Sequence, residues 1–344
     1  MTASQVPLEG PLAETPELVI DEEQPRRRRK AFILLLLLGL LVGLLILSIW
    51  YLLFRQPIIP PLPGLPESAL PHYTSSIYGV EGPVGVAVNS SGDRVYVSQS
   101  AGQPGVLIFD AGGNRVGTFE TPSGAAHAPV YLAIDPLTQE VFVSDRMTGA
   151  IYVYNSDGKL QRQFEPTETI PAWQPLGLAF DTAGNLFVTD LSGATQKVEV
   201  FDRTGALVRT LGANSGLSFP NGVSVDPAGN AWVTDSSNGR LLVFDPAGNV
   251  IAQVGRGIGE GNLGLPRGVV VAGERVFIAD NTAHGVFAYR PLTADEKRPA
   301  FVGFLGGEGS ADGQFEFPNG ITVDGRGRMY VADLANNRVQ VWSY

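Results

Sequence analysis

The chain of 344 residues contains no cysteine, only three histidines and three methionines, and just 17% charged residues. Without thiols there is no disulfide scaffold, no Cys-ligated zinc or iron–sulfur site and no covalently attached haem. The low charge, set beside 44% hydrophobic residues, excludes a polar disordered chain, because that much apolar surface can build a core. Basic residues are the minority, 24 against 34 acidic, for a net charge of −10. Nucleic acid is therefore not an expected partner, since neutralising phosphates needs a basic surface. No G-x-S-x-G elbow, Walker loop or HExxH motif occurs. The run GIGEGNLG (257–264) has no helix after it and is not a dinucleotide fingerprint. What the chain has in quantity is glycine (42) and proline (25), the residues of tight turns in a large β domain.

The first 70 residues differ from the rest. Residues 1–30 are rich in Pro, Glu and Asp without a hydrophobic period and end in the basic cluster Arg26 to Lys30, which predicts a disordered cytoplasmic tail. Residues 31–54 are 24 positions without a charge. As a helix they would extend about 36 Å, enough to cross a hydrocarbon core of roughly 30 Å. The positive-inside rule puts the cluster in the cytoplasm, with Trp50, Tyr51 and Phe54 as anchors at the far interface. A cleaved signal peptide fits less well, because the apolar run is too long and no A-x-A site follows. Residues 55–70, including PIIPPLPGLP, predict a Pro-rich spacer. The expected localisation is thus the cell membrane, single-pass, with residues 71–344 extracytoplasmic.

Those residues repeat. Pro83, Pro129, Pro175, Pro220, Pro266 and Pro318 open six copies of one pattern at spacings of 46, 46, 45, 46 and 52. Each copy begins with an alternating run such as VGVAV or LGLAFD, continues with a second such as VYVS or LFVTD, and adds a more exposed third and a weaker fourth. Period two means strand. Four strands per 45 or so residues is the signature of a propeller blade, so the expected fold is an all-β, six-bladed β-propeller. The last copy stops on its third strand, at Trp342. Its open edge needs a partner, and Tyr73 to Gly79 is the segment expected to close it. The spacing of 52 reflects an insertion, Arg290 to Ala300, between the third and fourth strands of blade five.

The stretches GEGNLGLPRG (259–268) and GGEGSADGQFEFPNG (306–320), with DSSNGRLLVFD and DLANNRVQVW, resemble the NHL-repeat family of six-bladed propellers. That resemblance implies the fold. It leaves activity open, because such propellers include protein-binding modules, extracellular sensor domains and enzymes.

Antiparallel pairing puts the start of strand one and the end of strand two on one face. The residue after each opening Pro should therefore line the channel mouth there: Val84, Val130, Leu176, Asn221, Arg267 and Asn319. The first three make an apolar arc, with Tyr131 and Trp173 close by, and the last three a polar one. Arg267 between two amides suits a carboxylate or phosphate, unless it pairs with Asp280 or Glu260. Asp145, Asp190, Asp235, Asp280 and Asp333 end strand two in five blades, with Gln99 in the sixth. A residue present in nearly every blade serves the blade, as a hydrogen-bond acceptor for its loop. Asp135, Asp181, Asp226 and Asp324 are expected in turns on the opposite face.

Resemblance to calcium-dependent lactonases would place calcium on Asn221 and Asn319. Resemblance to zinc-dependent amidating lyases would place zinc on histidines, with His127 and His284 as candidates. The reading that follows is a membrane-anchored extracytoplasmic module binding a protein, peptide or envelope polymer through Asn221, Arg267, Asn319, Tyr131 and Trp173, with no catalytic residues assigned. The alternative is a metal-assisted hydrolase or lyase.

Overall fold

The computed structural model describes residues 35–45, 70–255, 260–293 and 296–344. Residues 35–45 are one helix, in a unit separate from the one that begins at Leu65. Eleven residues rise about 16 Å, and among the described residues no helix is long and apolar enough to cross a membrane. The tail 1–30, the remaining positions of 31–54 and most of the linker 55–70 lie outside the described residues.

Residues 70–344 hold 24 strands, among the described residues, in six four-stranded antiparallel sheets. Blade one is β2 (Pro83–Val88), β3 (Arg94–Gln99), β4 (Gly105–Asp110) and β5 (Arg115–Thr118), counted outward from the axis. Each of the other five innermost strands also starts at the Pro expected from the sequence: β6 (Pro129–Ile134), β10 (Pro175–Phe180), β14 (Pro220–Val225), β18 (Pro266–Ala272) and β22 (Pro318–Val323). These six pack side by side in ring order, β22 against β2. Proline suits a strand's first position because it has no N–H to give the ladder. Each opening Pro sits opposite the residue that ends strand two, Pro83 facing Gln99 and Pro220 facing Asp235, and a bulge follows.

The ring closes as expected. Strand β1 (His72–Ile77) pairs antiparallel with β24 (Arg338–Ser343), Ile77 opposite Val339, so the start of the domain supplies the outermost strand of blade six. Blade five carries its insertion between β20 (Gly285–Arg290) and β21 (Ala300–Gly306).

The core lies between blades. Phe187, Val198 and Leu211 of blade three pack with Val223, Val233 and Phe244 of blade four, and Val339 and Val341 of blade six pack with Val97, Leu107 and Phe109 of blade one. Side chains of this kind contribute about 1.5–3 kcal/mol each when fully buried. Near the axis two further devices join neighbours. The Ser98 hydroxyl accepts from the Gly85 N–H and donates to the Val130 carbonyl of the next blade at 2.5 Å; Ser144 and Thr234 repeat the bridge to Leu176 and Arg267. The third residue of strand one is Gly in five blades. A Cβ on Gly222, Gly268 or Gly320 would stand 2.6–2.7 Å from the next blade's carbonyl oxygen, and one on Gly85 or Gly177 would be closer still.

Candidate functional site

The face inferred from strand direction is the one observed. Val84, Val130, Leu176, Asn221, Arg267 and Asn319, one from each blade, line a single cavity of about 380 Å³ at the channel mouth. Tyr131, Phe219 and Arg146 complete the part used below.

Tyr131 is the odd member of the repeat, standing where the other blades have Gly. Its buried side chain reaches from blade two to blades four and six, where the hydroxyl bonds Asn221 Oδ1 and lies 2.7 Å from Asn319 Oδ1. One hydroxyl proton serves one carbonyl, so the second amide must turn its NH₂ toward the phenol oxygen. Burial holds the phenol pKa far above its ordinary value against the opposing pull of Arg267, which keeps the hydroxyl a neutral donor. The three side chains form a cross-strut within the lining of the cavity.

Arg267 takes neither expected partner. Asp280 accepts from the N–H groups of Gly264 (2.7 Å), Leu265 (3.0 Å) and Ala283 (3.1 Å). Among the described residues the Arg267 guanidinium has no carboxylate partner, and its Nε is buried without a hydrogen bond. It lies 5.7 Å from the centroid of the Phe219 ring, an attraction of about 0.5–2 kcal/mol that orients the group without neutralising it. Phe219 has φ +56° immediately before Pro220, a conformation that bulky residues and residues preceding proline both avoid. The Gln196 side chain, which accepts from the Phe219 N–H, helps to hold it there. Phe317 before Pro318 and Gly82 before Pro83 take the same conformation, so the turn into strand one belongs to the repeat.

The repeated carboxylates are structural. Asp235 accepts from the Ser218 N–H before strand one and from the Asn238 and Arg240 side chains after strand two. Asp333 does the same with Glu316, Asn336 and Arg338. In blade one the Gln99 amide accepts from the Glu81 N–H and donates to the Gln103 carbonyl. The bond to the loop before strand one goes beyond the sequence reading, which had only the following loop. Asp181 and Asp226 each cap a turn through N–H groups two and four residues on.

The metal candidates do not assemble. His127 Nδ1 bonds Asp145 at 2.9 Å and its ring packs edge-on against Tyr152 within blade two. His284, at φ +53°, lies against Phe317 of blade six and accepts from that residue's N–H. No group of three His, Asp or Glu that could hold a metal ion occurs among the described residues. The calcium positions fit no better, for Asn221 and Asn319 are engaged by Tyr131 and the described cavity lining contains no carboxylate.

Trp173 is displaced from its expected place. It lines an adjoining cavity of about 550 Å³ with Met147, Thr148 and Leu191, and stacks on Phe201 at 5.2 Å. The two cavities share Arg146, Leu176 and Phe219. Sequence reasoning missed Phe219 and Arg146. The available signals were the residue before the Pro of PNG and the residue after the Asp that ends strand two.

The family model for the NHL repeat matches residues 217–244 and 315–342, the inner three strands of blades four and six with the loops before them. A search of curated proteins finds no match. Among solved structures, a nidogen/laminin complex is similar at 23% identity and TM-score 0.52 over 61% of this chain and 76% of that one. A streptogramin B lyase is similar at 12% identity and TM-score 0.55 over 81% and 99%. A catalytically inactive variant of virginiamycin B lyase from Staphylococcus aureus with quinupristin is similar at 15% identity and TM-score 0.55 over 78% and 98%. At these identities the likeness is one of fold. The six-sheet ring with its strand-one prolines and these likenesses of fold make the chain a six-bladed β-propeller, in which blades four and six carry matches to the NHL repeat.

Proposed function

We propose that the protein is a membrane-anchored, extracytoplasmic binding module whose channel mouth takes an anionic group presented by a protein or peptide partner. The observation that carries this reading is the Arg267 guanidinium. It is held over Phe219, has no carboxylate partner among the described residues and faces a cavity whose described lining contains none. In a protein of net charge −10 such a group is conspicuous, and its planar fork of donors matches a carboxylate. The Tyr131 strut forms part of the cavity wall. The anchor rests on the basic cluster at Arg26 to Lys30 and the uncharged run 31–54; residues 35–45 of that run are helical, with Leu35 to Leu38 exposed on the helix. Hydrolase or lyase chemistry would need a general base, and no imidazole or carboxylate lines this cavity among the described residues.

The test uses the full-length protein in nanodiscs and two labelled hexapeptides that differ only by Glu or Gln at one position in a Gly/Ser frame. The Glu probe should bind more tightly, and Arg267→Met should erase the difference. Equal affinity of the two probes for the unaltered protein would overturn the reading. Protease access from the outer side of right-side-out vesicles tests the orientation.

A further inference from the structure

We infer that the anion site is one end of a peptide groove, and that its ligand is an extended segment carrying a carboxylate with an aliphatic or aromatic side chain within the next few residues. This rests on the anion reading of Arg267 and adds to it the class of ligand. The channel-mouth cavity and the adjoining cavity are contiguous through Arg146, Leu176 and Phe219. Their combined floor runs from the axis outward across blades two, three and four. At the axis it presents Arg267 and the Tyr131, Asn221 and Asn319 strut beside the apolar Val84, Val130 and Leu176, and farther out Met147, Trp173 and Leu191 beside Arg146, Thr148 and Gln174.

Three observations select a peptide. Arg146 is exposed and, like Arg267, has no carboxylate partner among the described residues, so two guanidiniums border the groove at and beside its axial end. The outer cavity offers the apolar Trp173, Leu191 and Met147 among polar neighbours, and Met147 is 64% exposed there, a flexible side chain that adapts to varied apolar partners. Thr148 Oγ1 and Trp173 Nε1, both on residues lining the outer cavity, are buried without hydrogen-bond partners. A buried donor without an acceptor is costly. A bare fatty acid would leave both unmet. Once Thr148 or Trp173 turns its polar atom toward the cavity, the carbonyl and N–H groups of an extended chain would serve it while the chain's side chains reached the arginine and the apolar Met147, Trp173 and Leu191, the main-chain and side-chain division of labour usual for peptide grooves. Each cavity lies within the roughly 300–1,000 Å³ typical of ligand sites.

The experiment measures fluorescence polarisation of the full-length protein in nanodiscs with Gly/Ser-framed peptides containing one Glu and, one to four residues after it, either Leu, Trp or Ser. A parallel set replaces Glu by Gln and leaves the C-terminus free or amidated, which separates a side-chain carboxylate from a terminal one. At least one spacing should bind tenfold or more tightly with Leu or Trp than with Ser. Met147→Gln, at an exposed position and without adding charge beside Arg146, should reduce that gain while preserving the preference for carboxylate. If no spacing favours the apolar residue while the carboxylate preference persists, the groove is overturned and the anion site stands. If the carboxylate preference itself is absent, both fall.

Discussion

The Tyr131 hydroxyl of blade two lies 2.7 Å from Asn319 Oδ1 of blade six, spanning the axis of the propeller. With Asn221 it ties three blades together at a point where the repeat offers only glycine elsewhere. Replacing Tyr131 by Phe keeps the ring and removes the hydroxyl, which leaves the buried Asn221 amide short of a partner. The loss should be about 1–3 kcal/mol in urea unfolding, with an unchanged far-UV spectrum.

The close approach of neighbouring inner strands makes a second prediction. Gly222→Ala sets a Cβ 2.6 Å from the Arg267 carbonyl oxygen, whereas Gly255→Ala meets nothing within 4 Å among the described residues and has no positive φ. The first should destabilise by about 1–3 kcal/mol through overpacking. The second should be neutral or slightly stabilising. Midpoints of chemical unfolding for the two variants check this directly.

Acid sensitivity should come from the blade turns. Hydrogen bonds from the Asn114 side chain and backbone hold Asp110 below the ordinary aspartate value of 3.8; Thr204 does so for Asp202 and Asn249 for Asp245. A carboxyl whose folded pKa is depressed contributes stability above its unfolded pKa and loses it as pH falls through the folded value. The melting temperature should therefore change little on this account between pH 8 and about 5 and fall below about pH 4. The triple variant Asp110→Asn, Asp202→Asn, Asp245→Asn should flatten that fall, as read by thermal unfolding across the series.

Closure of the ring depends on one borrowed strand. Ile77 is buried in the cluster that includes Val339 and Val341, although most of β1 is more exposed. Ile77→Asp should release β1 from β24 and expose an unpaired edge. Limited proteolysis should then cut within 72–77 far faster than in the unaltered protein and yield a product prone to self-association.

The architecture was legible because a propeller repeats its instructions. Six prolines at blade spacing, alternating runs and a last copy one strand short were enough to place the inner strands and to identify the strand that closes the ring. The channel residues followed from strand direction alone. What could not be read was where long side chains go. Tyr131 appeared as an aromatic near the channel, yet its reach to Asn221 and Asn319 depends on the diameter of the ring. The signal was present, since it breaks a position that is Gly in Gly85, Gly177, Gly222, Gly268 and Gly320. Whether Arg267 pairs with Asp280 depends on which donors reach that carboxylate first, and the N–H groups of Gly264 and Leu265 do. His127 and His284 shared a residue type and little else. Trp173 belongs to the same face but to the neighbouring cavity, a difference set by its loop.

If charge at position 267 selects the ligand, a charge swap there reverses the preference. Binding of matched Glu and Lys hexapeptides should be compared for the unaltered protein and for Arg267→Glu, both full-length in nanodiscs and at two salt concentrations, because exposed charge contacts weaken with ionic strength. The unaltered protein should prefer the Glu probe and the variant the Lys probe. A preference that is the same in both proteins would contradict selection by that charge.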